Sequence, residues 1–124
     1  FTKGLGAVHS MSHACGANQE LRLHHGTLNG VILPTIIRFN KSHVGDKYER
    51  ISRSMGLSES SDLAEIVENL NSEIGLPRNL GEMGIVENMI PDLAQHSVVD
   101  VCSFTNPLIP TLQDYEKLFV EAIG

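Results

Sequence analysis

The sequence predicts an all-α fold, a multi-helix bundle without a sheet. Apolar residues recur at spacings of three and four along most of the chain, and no segment alternates apolar and polar residues over a strand's length. Apolar residues make up 41% of the 124, yet aromatics only 5%, with no Trp. Aliphatic side chains must therefore do the packing, which suits helix-on-helix contacts better than stacked sheets.

The elements follow in order. Residues 6–17 carry Val8, Met11, Ser12 and Cys15 at helical spacing, and 18–23 read as a polar connector. A second helix is expected from Gly26 or Thr27 to Phe39, kinked or broken at Pro34, with Asn40 to His43 ending it. Asp46 is an N-cap for residues 47–55, and Gly56 is the residue that stops them. Ser61, Asp62 and Glu65 open an amphipathic helix whose stripe is Leu63, Ile66, Val67, Leu70 and Ile74, closed by Gly75 and Pro77. One or two helices lie within 84–101, with Pro91 near a start, and Ser103 to Pro110 is a loop. Thr111 caps a last helix that buries Tyr115, Leu118, Phe119 and Ala122.

Composition excludes several functions. The formal charge is −6 without a basic run, a poor match to phosphate backbones, so no nucleic-acid partner is expected. Leu28 to Phe39 is the longest apolar stretch, and Asn29, Gly30, Pro34, Thr35 and Arg38 interrupt it; a bilayer span needs about 20 apolar residues, so no membrane partner is expected. Cys15 and Cys102 are far apart and form no CxxC pattern, which reads as two buried thiols in a reducing compartment, the cytoplasm. Gly4 and Gly6 lack the third glycine and preceding strand of a dinucleotide fingerprint. The chain starts at Phe1 with a histidine cluster close behind, which leads us to expect that sequence upstream is missing.

Four of the six histidines fall between positions 9 and 25. His9 and His13 are four apart, hence on one helix face, and two neutral imidazoles so placed can flank a divalent metal. Ser10 replaces the glutamate that a zincin needs, so a metalloprotease is excluded. Spacing alone makes such a pair structural about as often as functional. His25, or His24 beside it, would meet His9 if the connector brought the two helices together. A catalytic metal usually needs three or more protein ligands, and no third has comparable support in the spacing.

Gly6-Ala-Val-His9-Ser-Met-Ser-His13 resembles the GxxHxxxH stretch of iron-containing (group III) alcohol dehydrogenases, and His25-Gly-Thr-Leu-Asn29-Gly-Val-Ile-Leu-Pro34 resembles their HGxxNxxxLP signature. Phe39-Asn40, Tyr48 to Gly56, Ile74-Gly-Leu-Pro77, Asp100-Val-Cys102-Ser-Phe-Thr-Asn106-Pro107 (DxCxxxNP) and the Thr111 to Ile123 helix follow in the family's order. The resemblance implies that residues 1–124 are the C-terminal metal-binding helical domain, and that the NAD(P)-binding α/β domain is absent from this chain. It implies Fe²⁺ (or Zn²⁺) held by one Asp and three His, of which His9 and His25 are the last two. It also implies a catalytic pocket role for His13, a position near the cofactor pocket for Cys102, a small alcohol or aldehyde as substrate, and a homodimer. His24 stands where many members have Pro, and Gly26 favours His25 as the motif histidine; Leu108 stands where many have Arg. The fragment alone is expected to be inactive and to expose an apolar face. The alternative is a stand-alone helical module that binds a metal or a protein without redox chemistry.

Overall fold

The computed structural model describes residues 5–58 and 61–124; Phe1 and Gly4 lie outside the described residues. Among the described residues, six α-helices run α1 (Ala7–Gly16), α2 (His25–Asn40), α3 (Lys47–Ser54), α4 (Leu63–Glu73), α5 (Ile90–Val99) and α6 (Leu112–Ile123), with short 3-10 turns between several of them. Among the described residues there is no β-strand. α1 packs on α2 and α5, α2 on α4, and α5 on α6. Their shared interior holds Met11, Cys15, Leu28, Ile32, Tyr115 and Phe119, all fully buried. A smaller cluster of Ile37, Leu63 and Ala64, with Tyr48 and Val67 against it, seats α3 and α4.

The helix ends follow their caps. The Asp62 carboxylate accepts from the Ala64 and Glu65 N–H groups at the start of α4. Gly56 (φ 76°) and Gly75 (φ 82°) take the left-handed conformation just past α3 and α4. Pro91 sits in the first turn of α5, where its missing N–H costs nothing. Thr111 and Asp114 form a reciprocal capping box on α6, whose buried face is Tyr115, Leu118, Phe119 and Ala122 as expected. Asp46 stands at the start of α3 without a side-chain cap bond.

Two expectations need correction. Of the kink or break expected at Pro34, the break does not occur: α2 is one continuous helical run through it. Proline has no N–H to give the carbonyl four residues back, and here that carbonyl belongs to Gly30. The Asn71 side chain supplies the missing donor: its Nδ2 donates to the Gly30 carbonyl at 2.8 Å. A Cβ at residue 30 would stand 2.9 Å from a methyl of Leu76, just beyond α4, so the glycine leaves room for that side chain. The Asn71 contact also explains the second correction. The α4 stripe does not bury throughout, since Leu70 and Ile74 are 49% and 63% exposed. α4 faces α2 along Leu63, Val67 and Asn71, at i, i+4 and i+8, so Leu70 and Ile74 fall beside the seam.

Candidate functional site

α1 carries one face into the core through Ala7, Met11, Ala14 and Cys15. The neighbouring face presents His9 and His13, one turn apart. The polar connector then returns the chain so that α2 begins at His25, beside them. The three rings form a cluster: His9 to His25 is 5.5 Å between centroids, His13 to His25 5.4 Å with planes only 15° apart, and His9 to His13 6.1 Å. His25 is exposed, and His9 and His13 are half-buried.

His24 takes another task. It is the N-cap of α2, and its Nδ1 accepts from the Thr27 N–H at 3.3 Å. The ring that stands beside His9 is His25. His43 bonds Ser42 in an exposed turn, and His96 is exposed on α5; both stand apart from the cluster.

Each clustered ring has a polar support. Ser12 Oγ lies 2.9 Å from His25 Nδ1, and Ser12 itself is fully buried. His13 Nδ1 lies 3.0 Å from Asp100 Oδ2. Asp100 is in turn held by the Cys102 N–H at 2.9 Å and by Ser10 Oγ at 3.5 Å, both on Oδ1. Cys102 is buried next to that carboxylate. Asp100 is the residue that sequence reasoning left without a role. Its Asp-x-Cys turn was visible, but its partner His13 is 87 residues away.

The electrostatics follow from this packing. Burial lowers the His9 pKa below the ordinary histidine value, and the neighbouring His25 and His13 lower it further, against the pull of Asp100. Burial alone would raise the Asp100 pKa, but hydrogen bonds from Cys102 and His13 outweigh it and leave the pKa lowered. Burial first, then the adjacent carboxylate, raises the Cys102 thiol. At neutral pH the site therefore holds an uncharged His9, an ionised Asp100 and a protonated Cys102.

The N-terminus of α1 is fixed by the same loop. Asn106 Oδ1 accepts from the Ala7 N–H at 3.2 Å, and its amide pairs with that of Asn40 while also donating to the Leu108 carbonyl. A Cβ on Gly6 would lie 3.0 Å from that Asn106 oxygen, which accounts for the glycine three residues before His9. An apolar groove of about 620 Å³ runs from His9 along α2 past Leu33 to Ile51 and Met55. Further apolar side chains, Val101, Phe104 and Ile109, are exposed around the 100–110 loop.

An all-helical domain with a histidine cluster at its surface is the class of protein that fold and geometry define. A family model described as the Fe-containing alcohol dehydrogenase family, C-terminal, matches residues 2–123, and the chain belongs to that family. It is 37% identical to 4-hydroxybutyrate dehydrogenase of Cupriavidus necator over 99% of this chain and 34% of that protein. It is 39% identical to lactaldehyde reductase of Escherichia coli K12 over 94% of this chain and 32% of that protein. Among solved structures, a 1,3-propanediol oxidoreductase superposes with a TM-score of 0.86 at 29% identity, covering 95% of this chain and 32% of that one. The iron-containing alcohol dehydrogenase of Thermococcus thioreducens gives 0.83 at 31% identity, covering 96% and 32%. The chain thus spans about a third of the length of the relatives it matches.

Proposed function

We propose that this chain is the C-terminal metal-binding domain of an NAD(P)-dependent alcohol dehydrogenase that interconverts a small alcohol and its aldehyde. In this reading His9 and His25 are ligands of Fe²⁺ or Zn²⁺, His13 receives the proton of the alcohol hydroxyl, and Cys102 lines the pocket near the cofactor. The observation that carries it is the pairing of His9 with His25.

The donor set fits a divalent ion. An ion about 2.1 Å from an imidazole nitrogen lies about 3.2 Å from the ring centroid, so rings 5.5 Å apart would subtend about 120° at an ion lying on a lone pair of each. His13 suits that task less well. It is stacked nearly parallel to His25, and lone pairs in near-parallel planes do not converge on one point. Its Nδ1 is also engaged by Asp100. The lowered His9 pKa keeps that ring a neutral donor at physiological pH. Ser12 beside His25 Nδ1 orients the second ring, leaving Nε2 for the ion. When bound, the ion supplies Lewis acidity at the substrate oxygen, and NAD(P) supplies the hydride acceptor. The groove beside His9 offers an apolar wall to a small carbon chain.

Two histidines are too few for a tight site. The remaining ligands and the cofactor-binding half are assigned to an N-terminal domain outside this chain, and the isolated chain is inactive in this reading. It follows that the isolated chain binds iron or zinc weakly; stoichiometric, tightly held metal would contradict the ligand count. The activity itself is tested on the full-length protein with Fe²⁺, NAD(P)⁺ and short-chain alcohols. Turnover that collapses in the His9→Ala variant is expected. No oxidation across such a panel, or an unimpaired variant, would overturn the reading.

A further inference from the structure

We propose that Asp100 is a positioning residue for His13, holding the imidazole in the tautomer that carries its proton on Nδ1 and its lone pair on Nε2. The inference deepens the dehydrogenase reading and rests on it for the purpose of that tautomer. An ionised carboxylate only accepts hydrogen bonds. With Oδ2 at 3.0 Å, His13 Nδ1 must therefore be the donor. A neutral ring that donates from Nδ1 has Nε2 as its free acceptor, the nitrogen that can take the alcohol's proton.

The carboxylate cannot easily turn away. Its other oxygen is held by the Cys102 N–H and by Ser10 Oγ, and its side chain is only 14% exposed. The imidazole, 39% exposed, is restrained on one side. One face lies on His25, with planes 15° apart, and His25 is itself anchored at Ser12. A ring flip would place a carbon where Nδ1 meets the carboxylate.

The ligand atoms of His13, Asp100 and Cys102 lie within 4.8 Å of one another, a convergence that also suits a cation. Hydrogen bonding accounts for much of it without one: the imidazole and the Cys102 N–H both donate to the same carboxylate.

Asp100→Asn is the decisive substitution because it changes one atom's role and keeps the turn. The amide oxygen still accepts from the Cys102 N–H, while the amide nitrogen replaces Oδ2 and donates. His13 Nδ1 must then accept, and the ring proton moves to Nε2. The experiment uses the full-length enzyme with ¹⁵N-labelled histidine at a single pH, the His13 signals being assigned by their loss in His13→Gln. The wild type is expected to show Nδ1–H and the Asn variant Nε2–H, with Asp100→Glu returning to Nδ1–H. In steady-state assays the Asn variant should lose about 10²-fold in kcat, with KM within about twofold, and lose nothing further in a His13→Gln background. An unchanged His13 tautomer, or losses that multiply between the two sites, overturns the positioning role even where the wild type oxidises alcohols normally. A tautomer that switches as described in a protein that oxidises no alcohol sinks the dehydrogenase reading and leaves the positioning of the ring supported.

Discussion

The bond from Asn71 to the Gly30 carbonyl makes a quantitative prediction about how a proline is accommodated inside α2. Replacing Asn71 with Ala removes the side-chain donor at 2.8 Å. A buried carbonyl left without a partner costs about 1–3 kcal/mol. Gly30 and Asn71 are only partly buried, so water reaches the vacated position in part, and a value near 1.5 kcal/mol is expected. The control is Pro34→Ala, which restores the N–H that bonds the carbonyl four residues back. Pro34→Ala has competing effects of its own, since it gains helix propensity and loses buried ring surface. The informative quantity is therefore the coupling in the double-mutant cycle. With Ala at 34, Asn71→Ala should cost no more than about 0.5 kcal/mol, a coupling of about 1 kcal/mol. Urea unfolding of the chain, followed by helical circular dichroism, reads this as a shift in midpoint at constant slope. Equal costs of Asn71→Ala in the two backgrounds would refute the idea that Asn71 serves the carbonyl orphaned by Pro34.

Other substitutions test the remaining polar supports. Asn106→Leu strands the Ala7 N–H and the Asn40 amide, both buried, and should destabilise the chain by about 4 kcal/mol; adding Asn40→Leu should cost less than the sum, because one orphaned amide is then removed. A cost below about 1 kcal/mol for Asn106→Leu in urea unfolding would show that the hub is not holding α1. Thr111→Ala breaks the capping box of α6 and should cost about 1 kcal/mol, lowering the melting temperature by roughly 4 °C. Burial pushes the Cys15 thiol up to about 12. A folded-state pKa raised this far gives stability that is complete below the unfolded thiol value of about 8.5, and that drains away as pH rises from there toward the folded value. The stability difference between wild type and Cys15→Ala should therefore shrink between neutral pH and about pH 10.5; a difference that stays flat would contradict the buried, protonated thiol.

The legible parts of this fold were those set by local chemistry. Asp62, Gly56, Gly75, Pro91 and Thr111 act within a few residues of themselves, and each marks a helix end where spacing and residue type placed it. The His9 and His13 pair was legible for the same reason. What the sequence did not disclose was pairing at a distance. Asn71 with Gly30 spans 41 residues, Asn106 with Asn40 spans 66, and Asp100 with His13 spans 87. Single polar bonds over such separations leave no period to read. Leu70 and Ile74 illustrate the complementary error: a period shows that a stripe exists, and only the partner helix decides how much of it is covered. The start of α2 was blurred because imidazole is an uncommon N-cap, so the capping role of His24 was not read from the sequence.

The loop from Asp100 to Asn106 connects these observations. At one end its carboxylate meets His13 and Ser10; at the other its amide meets the Ala7 N–H and closes on Asn40 at the end of α2. α1 is thus gripped at its first turn and near its middle by the two residues that flank one short 3-10 turn, and Asn106 also reaches the helix that supplies His25. The distance between His9 and His25 is then a consequence of three contacts: the packing of α1 on α2, the Asn106–Asn40 pair, and the Asp100–His13 pair. Two of these are polar, the Asn106–Asn40 pair buried and the Asp100–His13 pair part-buried, and geometrically exacting, which a purely apolar interface would not be. Changes at Asn106 should therefore reach the histidine cluster without touching it. For the proposed metal site, this predicts that Asn106→Leu weakens Fe²⁺ retention in the full-length protein even under conditions where the fold is retained, whereas a stability-matched core substitution such as Phe119→Leu does not.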